Sequence, residues 1–485
     1  MGIIRDLTCL ALLARHRRPP SRDSVDNPGT VLGQTAEGRP IVLPQPTSQN
    51  ASHAVVFGSS GAGKTILTAH ALAAELRLTH ADLAQSIILI DPKGDLVEAL
   101  IAELADDHDL LARVHYLNPF GAGFPFNLRL MPLDGTPIEI RATQLADVVG
   151  LASTARGAAS HLGIGARQRD VLEHLLLAAL DTEVEGASVL WALDALVIPD
   201  GFARLKHATR SERARQFLGN ANLGDELRAS VLSRLRSALA ATPALERMMA
   251  APTAIDFSRL SAPGQVTLVD LGQPPGGLVS LQTFFANLIV RLALDHLLDR
   301  PSPWTGHHTR VVIDEAQVVV PVLEDVLERV LTTGRSRGIS VVLLTQSLAP
   351  IIRDAPELLQ IAMTNVPLKL IGRMSAQDAE RLARELAVPP GVDASLGEIR
   401  SHTASLIASL PNRHFFALTP GSRARFESTP VDVLSQRHAL GRAAGEIRAL
   451  KTRYRVPADS PIPRLPEPAP QPRRRTTRRK GTGFG

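Results

Sequence analysis

"GSSGAGKT", residues 58 to 65, decides the fold. It fits the pattern Gly-x-x-x-x-Gly-Lys-Ser/Thr, and its flanks give that pattern meaning. The apolar run "AVVF" (54–57) before it reads as a strand, and an amphipathic run to about Leu78 after it reads as a helix. Gly58, Gly61 and Gly63, interleaved with Ser59, Ser60 and Ala62, let the backbone curl until its N–H groups face phosphate oxygens. The helix N-terminus adds its positive end. Lys64 is then placed to reach β- and γ-phosphates, and the Thr65 hydroxyl to bind Mg²⁺. The expected cofactors are ATP and Mg²⁺.

Working outward, the same alternation repeats. Strands are expected at "SIILID" (86–91), "RVHYL" (113–117), "VTLVDL" (266–271), "RVVIDE" (310–315), 340–345 and "PLKLIG" (367–372). Helices are expected from Leu96 and over 281–298, 322–333, 355–364 and 375–387. Near-continuous apolar strands alternating with helices imply an α/β core built on a mainly parallel sheet covered on both faces. "PIVLP" (40–44) reads as a short strand ahead of it. A closing hairpin is expected between "ASLIASL" (404–410) and "HFFALT" (414–419), turning at Pro411-Asn412.

The interval 127–262 differs, since "IEIRATQLADVVGL", "GARQRDVLEHLLLAAL" and "LRASVLSRLRSALAA" carry helical spacing. The expected organisation is an N-terminal helix and linker (1–30), a core in two pieces (31–126 and 263–433) and an all-helical insertion (127–262). A C-terminal helix (434–455) and a Pro-rich, basic disordered tail (456–485) follow. In that tail "PADSPIPRLPEPAPQP" has seven prolines in sixteen residues, a semi-rigid spacer.

"RVVIDEAQ" supplies an acidic strand end that matches the glycine loop. Asp314 is expected to hold the Mg²⁺ shell and Glu315 to polarise an attacking water as general base. An Asp-Glu pair favours triphosphate hydrolysis over phosphoryl transfer to a small molecule. In "TTGRSRGISVVLLTQS" (332–347), Gln346 at the strand's carboxyl end is placed to sense a γ-phosphate. Arg335 precedes that strand at the opposite end of the sheet, badly placed for its own nucleotide. It suits a trans-acting arginine finger, with a solvated basic turn as the plain alternative, and Arg337 is a weaker candidate.

Composition bounds the rest. The 485 residues are 44% hydrophobic and 21% charged, a globular balance, and aromatic content of 4% argues against extensive base-stacking platforms. One cysteine, Cys9, excludes a disulfide framework. The net charge of +5 comes from the tail: without Arg473, Arg474, Arg475, Arg478, Arg479 and Lys480, 47 basic residues face 48 acidic ones. Nucleic-acid contact by the body must therefore come from local patches. Arg228, Arg234 and Arg236 are candidates, though a solvated helix face is the plainer reading. No membrane-spanning run is expected. Leu7–Ala14 is too short, and a short packing helix is favoured there over a membrane-surface one.

Taken together, "GSSGAGKT", "ILIDPKGD", "LNPF", "VVIDEAQ", "GRSRGISVVLLTQS" and "NVPLKLIGRMSAQDAERLARELAV" resemble the HerA/FtsK-like DNA translocases, most of all the TraG/TraD-type conjugative coupling ATPases. The resemblance covers 30–90 and 265–420 well and the helical interval loosely. It implies a RecA-like P-loop NTPase core that assembles as a ring, usually a homo-hexamer, and hydrolyses ATP to move DNA through its pore in conjugative or type IV secretion. Relaxase or secretion-channel components would be its partners. It assigns Lys64 and Thr65 to the Walker A pair, Asp314 and Glu315 to the Walker B pair, Gln346 to the sensor and Arg335 to the trans-acting arginine. Arg373 is a minor basic candidate. Asp91, Lys93 and Asp95 occupy a recurrent family loop, where Asp91 either orders water or magnesium or forms a structural turn. Conjugative coupling proteins generally begin with transmembrane helices, which are not expected here, and HerA proteins generally begin with a β-barrel, for which about fifty residues before the P-loop have no room. The expectation is a cytoplasmic ATPase with peripheral membrane contact through its termini. Other readings stand beside the conjugative translocase: a HerA-like ATPase of DNA processing or defence, a protein-directed secretion motor, and an ATP-switched scaffold, against which the Asp314-Glu315 pair argues.

Overall fold

The computed structural model describes residues 29–44, 53–79, 85–121, 123–132, 135–151, 165–320, 322–385, 395–419, 422–430 and 432–467. Cys9, the expected N-terminal helix and linker up to residue 28, and the basic run 473–480 lie outside them. Eleven strands form one sheet. They are β1 (Gly29–Gln34), β2 (Pro40–Pro44), β3 (Ala54–Phe57), β4 (Gln85–Asp91), β5 (Val114–Leu117), β6 (Val266–Asp270), β7 (His308–Ile313), β8 (Ile339–Thr345), β9 (Leu368–Ile371), β10 (His414–Thr419) and β11 (Ser422–Ser428). The spatial order is β2-β1-β11-β10-β9-β3-β8-β7-β4-β6-β5. The pairs from β9 through to β5 are parallel, and β9-β10-β11-β1-β2 extend the sheet in antiparallel fashion.

The parallel strands are apolar on both sides because helices cover both faces. Alternate residues enter two cores. Ile88, Ile90, Val311, Ile313, Val341 and Leu343 pack with Phe284 and Phe285 of the helix Val279–Leu298. Ile87, Leu89, Val312, Val342 and Leu344 pack with Leu72 and Leu76 of the helix Lys64–Thr79 and Leu96 and Leu100 of the helix Asp95–Leu104. At about 25 cal/mol per Å² of apolar surface, this two-sided burial is the main force holding the sheet. The helix Val279–Leu298 is long and apolar enough to cross a membrane, yet 78% of that window is buried inside the fold. It is the central core helix.

Between β5 and β6 the described residues hold helices from Ile138 to Leu260 and no sheet strand, only the isolated bridge Thr182–Thr209 and the pairing of Phe126 with Ala254. Arg228, exposed, and Arg234, half-buried, both spend guanidinium N–H groups on backbone carbonyls. Arg228 donates Nε and Nη2 to the Leu196 carbonyl at 2.9 and 2.7 Å, and Arg234 donates Nη1 to the Gly150 carbonyl at 3.0 Å. Each arginine ties one helix to the end of another, satisfying a carbonyl with no intrahelical donor. Arg236 lies exposed on the same helix, Asp225–Leu239.

Three expectations need correction. "ASLIASL" is not the first strand of a hairpin but the end of the helix Leu396–Ala408, opened by a capping box between Ser395 and Glu398 that fixes its first turn. The hairpin partner of β10 is β11, in the register Phe415–Phe426. The C-terminal helix is two, Val433–Arg442 and Ala444–Thr452, broken at Ala443 between the poor helix formers Gly441 and Gly445. The proline-rich stretch, as far as residue 467, is a docked strap. Leu465 is 3% exposed, Trp191 Nε1 donates to the Pro463 carbonyl at 3.3 Å, and Arg464 pairs with Asp194 and Glu246 at 3.1 and 3.2 Å. Prolines suit it because they lower the entropy lost on ordering an extended segment.

Candidate active site

The site is built where β3, β7 and β8 end. Phe57 leads into the glycine loop, whose base is tied to neighbouring strand ends. The Gly58 N–H donates to the Thr345 carbonyl at 3.1 Å and the Ser59 N–H to the Arg373 carbonyl at 2.7 Å. Gly61 and Gly63 take φ of +75° and +97°, left-handed values that let successive N–H groups point into one concavity. Gly63 is also crowded, since a Cβ there would lie 3.2 Å from Arg413 Cγ. The helix Lys64–Thr79 starts at the loop's end and aims its unsatisfied N–H groups at the same space. Lys64 is buried, and its ammonium folds back on the loop, donating to the carbonyls of Gly58 at 2.5 Å and Ser59 at 3.2 Å. Burial lowers its pKa, opposed by the charges of Asp314 and Glu315. Thr65 follows, half-buried.

Asp314 and Glu315 stand at the end of β7, both 5% exposed. The Asp314 carboxyl is pushed up to about 7, first by burial and then by the negative charges of Asp91 and Glu315. Such under-compensated carboxylates beside a lysine and a threonine hydroxyl are a hard oxygen donor set, which fits a Mg²⁺ ion. Glu315 adopts φ +50°, a left-handed conformation costly for a side chain other than glycine, asparagine or aspartate. The strained turn presents its carboxylate to three donors. Gln346 Nε2 reaches Oε1 at 2.5 Å, Lys93 Nζ reaches Oε1 at 2.6 Å, and Gln317 Nε2 bonds Oε2. Gln317 is held in turn by the Thr345 hydroxyl at 2.9 Å.

The fold therefore brings together the glycine loop, Lys64, Thr65, Asp314, Glu315 and Gln346. Arg335 stays apart. It lies exposed in the turn Gly334–Arg337 before β8, at the opposite edge of the sheet. Its neighbour there is buried His53, whose pKa is held down to about 4 by burial and by the Arg335 and Arg310 charges. Arg337 is a local brace, donating to the Arg300 carbonyl. Asp91 is a turn former. Its carboxylate takes the N–H groups of Lys93 at 2.8 Å, Leu96 at 2.7 Å and Val97 at 3.0 Å, capping the helix Asp95–Leu104. Asp95 opens that helix as an acidic first-turn residue.

Sequence reasoning missed three participants. Gln317 was visible inside "DEAQ", two residues past Glu315, but its return to the carboxylate depends on the turn. Lys93 had a place in a loop but no partner. Arg413 carried no signal at all. It donates its backbone N–H to the Ala62 carbonyl at 3.0 Å, lays its side chain over Gly63 and anchors its guanidinium to Glu427 at 2.8 Å and the Ser428 carbonyl at 3.0 Å. The antiparallel extension of the sheet thereby clamps the phosphate loop.

No curated protein matches the chain by sequence. Residues 308–387 match the family model described as the TraM recognition site of TraD and TraG. Among solved structures, VirB4 of Thermoanaerobacter pseudethanolicus superposes with a TM-score of 0.55 and 16% identity, over 84% of this chain and 98% of that one. The bacterial conjugative coupling protein TrwB, lacking its first 70 residues, gives 0.53 and 17% over 86% and 91%. TrwB in complex with ADP and Mg²⁺ gives 0.53 and 17% over 86% and 92%. Residues 308–387 are thus similar to the TraM recognition site of TraD and TraG, and the chain carries them on a RecA-like P-loop NTPase fold shared with TrwB and VirB4.

Proposed function

We propose that this chain is an ATPase that forms a ring, a homo-hexamer, and moves DNA in conjugative or type IV transfer, with relaxase or secretion-channel components as partners. The carrying observation is the convergence of Lys64, Asp314, Glu315 and Gln346 at the ends of adjacent strands, with Lys64 folded onto the glycine loop and Gln346 bonded to Glu315. The TrwB complexes with ADP and Mg²⁺ and with an ATP analogue support the choice of nucleotide.

In this reading the backbone of Gly58–Thr65 cradles the phosphates and Lys64 leaves its two carbonyls to neutralise the β- and γ-phosphates. Thr65 and Asp314 would hold the Mg²⁺ ion, which when bound offsets phosphate charge. Glu315 accepts the proton of the attacking water, and Gln346 turns its amide toward the γ-phosphate. Arg335 acts on the nucleotide of the neighbouring subunit, since its own lies across the whole length of β8.

Steady-state ATP turnover with and without single- and double-stranded DNA, at low and moderate salt, tests the proposal. Turnover that depends on Lys64 and rises with DNA, the rise weakening with salt, is expected. Turnover indifferent to DNA would redirect the reading to a motor acting on protein.

A further inference from the structure

The turn Gly334–Arg337 joins the helix Glu324–Thr333 to β8, and all but one of its residues are held. Gly334 is buried, with His53 Cε1 3.5 Å from where a Cβ would stand. Ser336 accepts the Trp304 N–H on its carbonyl at 2.8 Å and the Ser302 hydroxyl on its own at 2.9 Å. Arg337 donates to the Arg300 carbonyl. Gly338, just past the turn, takes φ +67° and donates its N–H to the Arg335 carbonyl at 3.1 Å. The Arg335 guanidinium is left over. It is exposed and, among the described residues, makes no hydrogen bond or ion pair.

The bonds to Ser336 and Arg337 come from one place, residues 300–307 between the helix Val279–Leu298 and β7. Trp304 is the centre of that loop. Its indole lies so close to the chain that a Cβ on Gly338 would stand 2.5 Å from Cδ1, and one on Gly306 2.5 Å from Cζ2. Only glycine lets the ring approach there. Nε1 donates to the His307 carbonyl at 2.8 Å, which fixes the indole at its edge. The Arg300 guanidinium sits 4.9 Å from the ring centroid and is itself held by the Thr309 hydroxyl at 2.8 Å. A short 3₁₀ turn has poor internal hydrogen bonds and does not keep its own shape. Here the shape comes from Trp304.

The loop adds little core of its own, since Pro301, Ser302, Pro303, Thr305 and Gly306 are exposed. Its one large apolar side chain is spent on the turn. An arginine that acts across a subunit boundary reaches its phosphate on a long, flexible side chain, so any error in its backbone is carried to the guanidinium. A misplacement of about 1 Å at a reacting centre costs about 10²-fold in rate. Such a group needs a backbone fixed on both sides and a guanidinium left free, and both conditions are met at Arg335. We infer that Trp304 is a positioning residue for Arg335, setting the angle at which it reaches the nucleotide of the neighbouring subunit. Trp304 touches no nucleotide, and it acts on the neighbour's turnover, not on its own subunit's. This rests on the ring-ATPase reading.

The test is the split between KM and kcat for ATP in Trp304→Ala, alone and mixed with Glu315→Gln subunits. The variant keeps its own nucleotide site, so KM should stay within about twofold while kcat falls about ten- to a hundredfold. Glu315→Gln subunits lack the general base but keep Arg335 in place, so mixing should restore part of the lost turnover. Trp304→Leu keeps apolar bulk beside Gly338 without the indole bond or the flat face. It should lose about three- to tenfold in kcat with the same rescue, and it carries the test where Trp304→Ala does not fold. A kcat within about twofold of wild type overturns the inference, as does a KM that rises by as much as kcat falls. So does a loss that Glu315→Gln subunits do not rescue although they rescue Arg335→Ala. If Arg335→Ala is not rescued either, the trans assignment itself has failed and takes the role of Trp304 with it.

Discussion

Glu75 and Arg310 form an ion pair at 2.9 Å with side chains 2% and 1% exposed, and they join the two halves of the candidate site. Glu75 is on the helix that begins at Lys64, and Arg310 on the strand that ends before Asp314 and Glu315. Burial pushes the Glu75 carboxyl upward, and Arg310 opposes that shift. His308 is kept neutral by burial and by the Arg310 charge, and His53 likewise. At 2.9 Å and an effective dielectric constant near 20 the gross attraction is about 6 kcal/mol, most of it offset by desolvation. Glu75→Ala leaves a guanidinium buried with no carboxylate, and should cost about 3–5 kcal/mol. The double variant Glu75→Leu/Arg310→Met removes both charges at similar volume and should lie within about 1 kcal/mol of wild type. Urea unfolding followed by tryptophan fluorescence and circular dichroism gives the comparison. Glu75→Ala is also expected to weaken binding of a fluorescent ATP analogue, because the helix behind the glycine loop loses its tie to β7. A Glu75→Ala variant within about 1 kcal/mol of wild type, or a double variant less stable than either single one, would refute the argument.

The other predictions are shorter. The Asp314 carboxyl is raised from 3.8 to about 7 in the fold, so its contribution is fully present below about pH 4 and is lost as pH rises through 7; nucleotide-free protein should lose up to about 4 kcal/mol across that window. Asp314→Asn should flatten the loss, giving a higher melting temperature at pH 8, and an unchanged pH profile would count against it. Arg335→Ala should bind ATP but not hydrolyse it, and mixing it with Glu315→Gln subunits should restore part of the turnover; no restoration would sink the trans assignment. Leu465→Ala empties a buried contact of the strap, at about 2–3 kcal/mol, and should speed proteolytic cutting within 455–467 at least tenfold while the core stays resistant.

Contiguous patterns made much of this protein legible. The glycine loop between a strand and a helix, the apolar runs of β4, β6, β7 and β8, and the acidic end of β7 are each local, and each local preference agrees with the final fold. The misreadings came where local signals are weak. β11 reads "SRARFES", with polar residues on its outer face, so it went unseen and β10 was given a partner in "ASLIASL" instead. The strap reads in sequence as a spacer because its prolines say extended, and nothing in them says against what.

The sequence by itself determined which chemistry is present: a phosphate loop with its lysine and threonine, an acidic pair, a glutamine past one strand end and an arginine before it. Only the tertiary structure decided which groups meet. Lys93 closes on Glu315 across 222 positions of chain, and Arg413 clamps Gly63 across 350. Arg464 pins the strap to Asp194. The first two contacts exist because of the order in which the strands lie side by side, and that order is set by the packing of helices on two faces of a sheet. Hydrophobic periodicity specifies that a strand is buried, and it is the same for every central strand. It therefore does not say which neighbour a strand will have, or which side chain will stand across from its end.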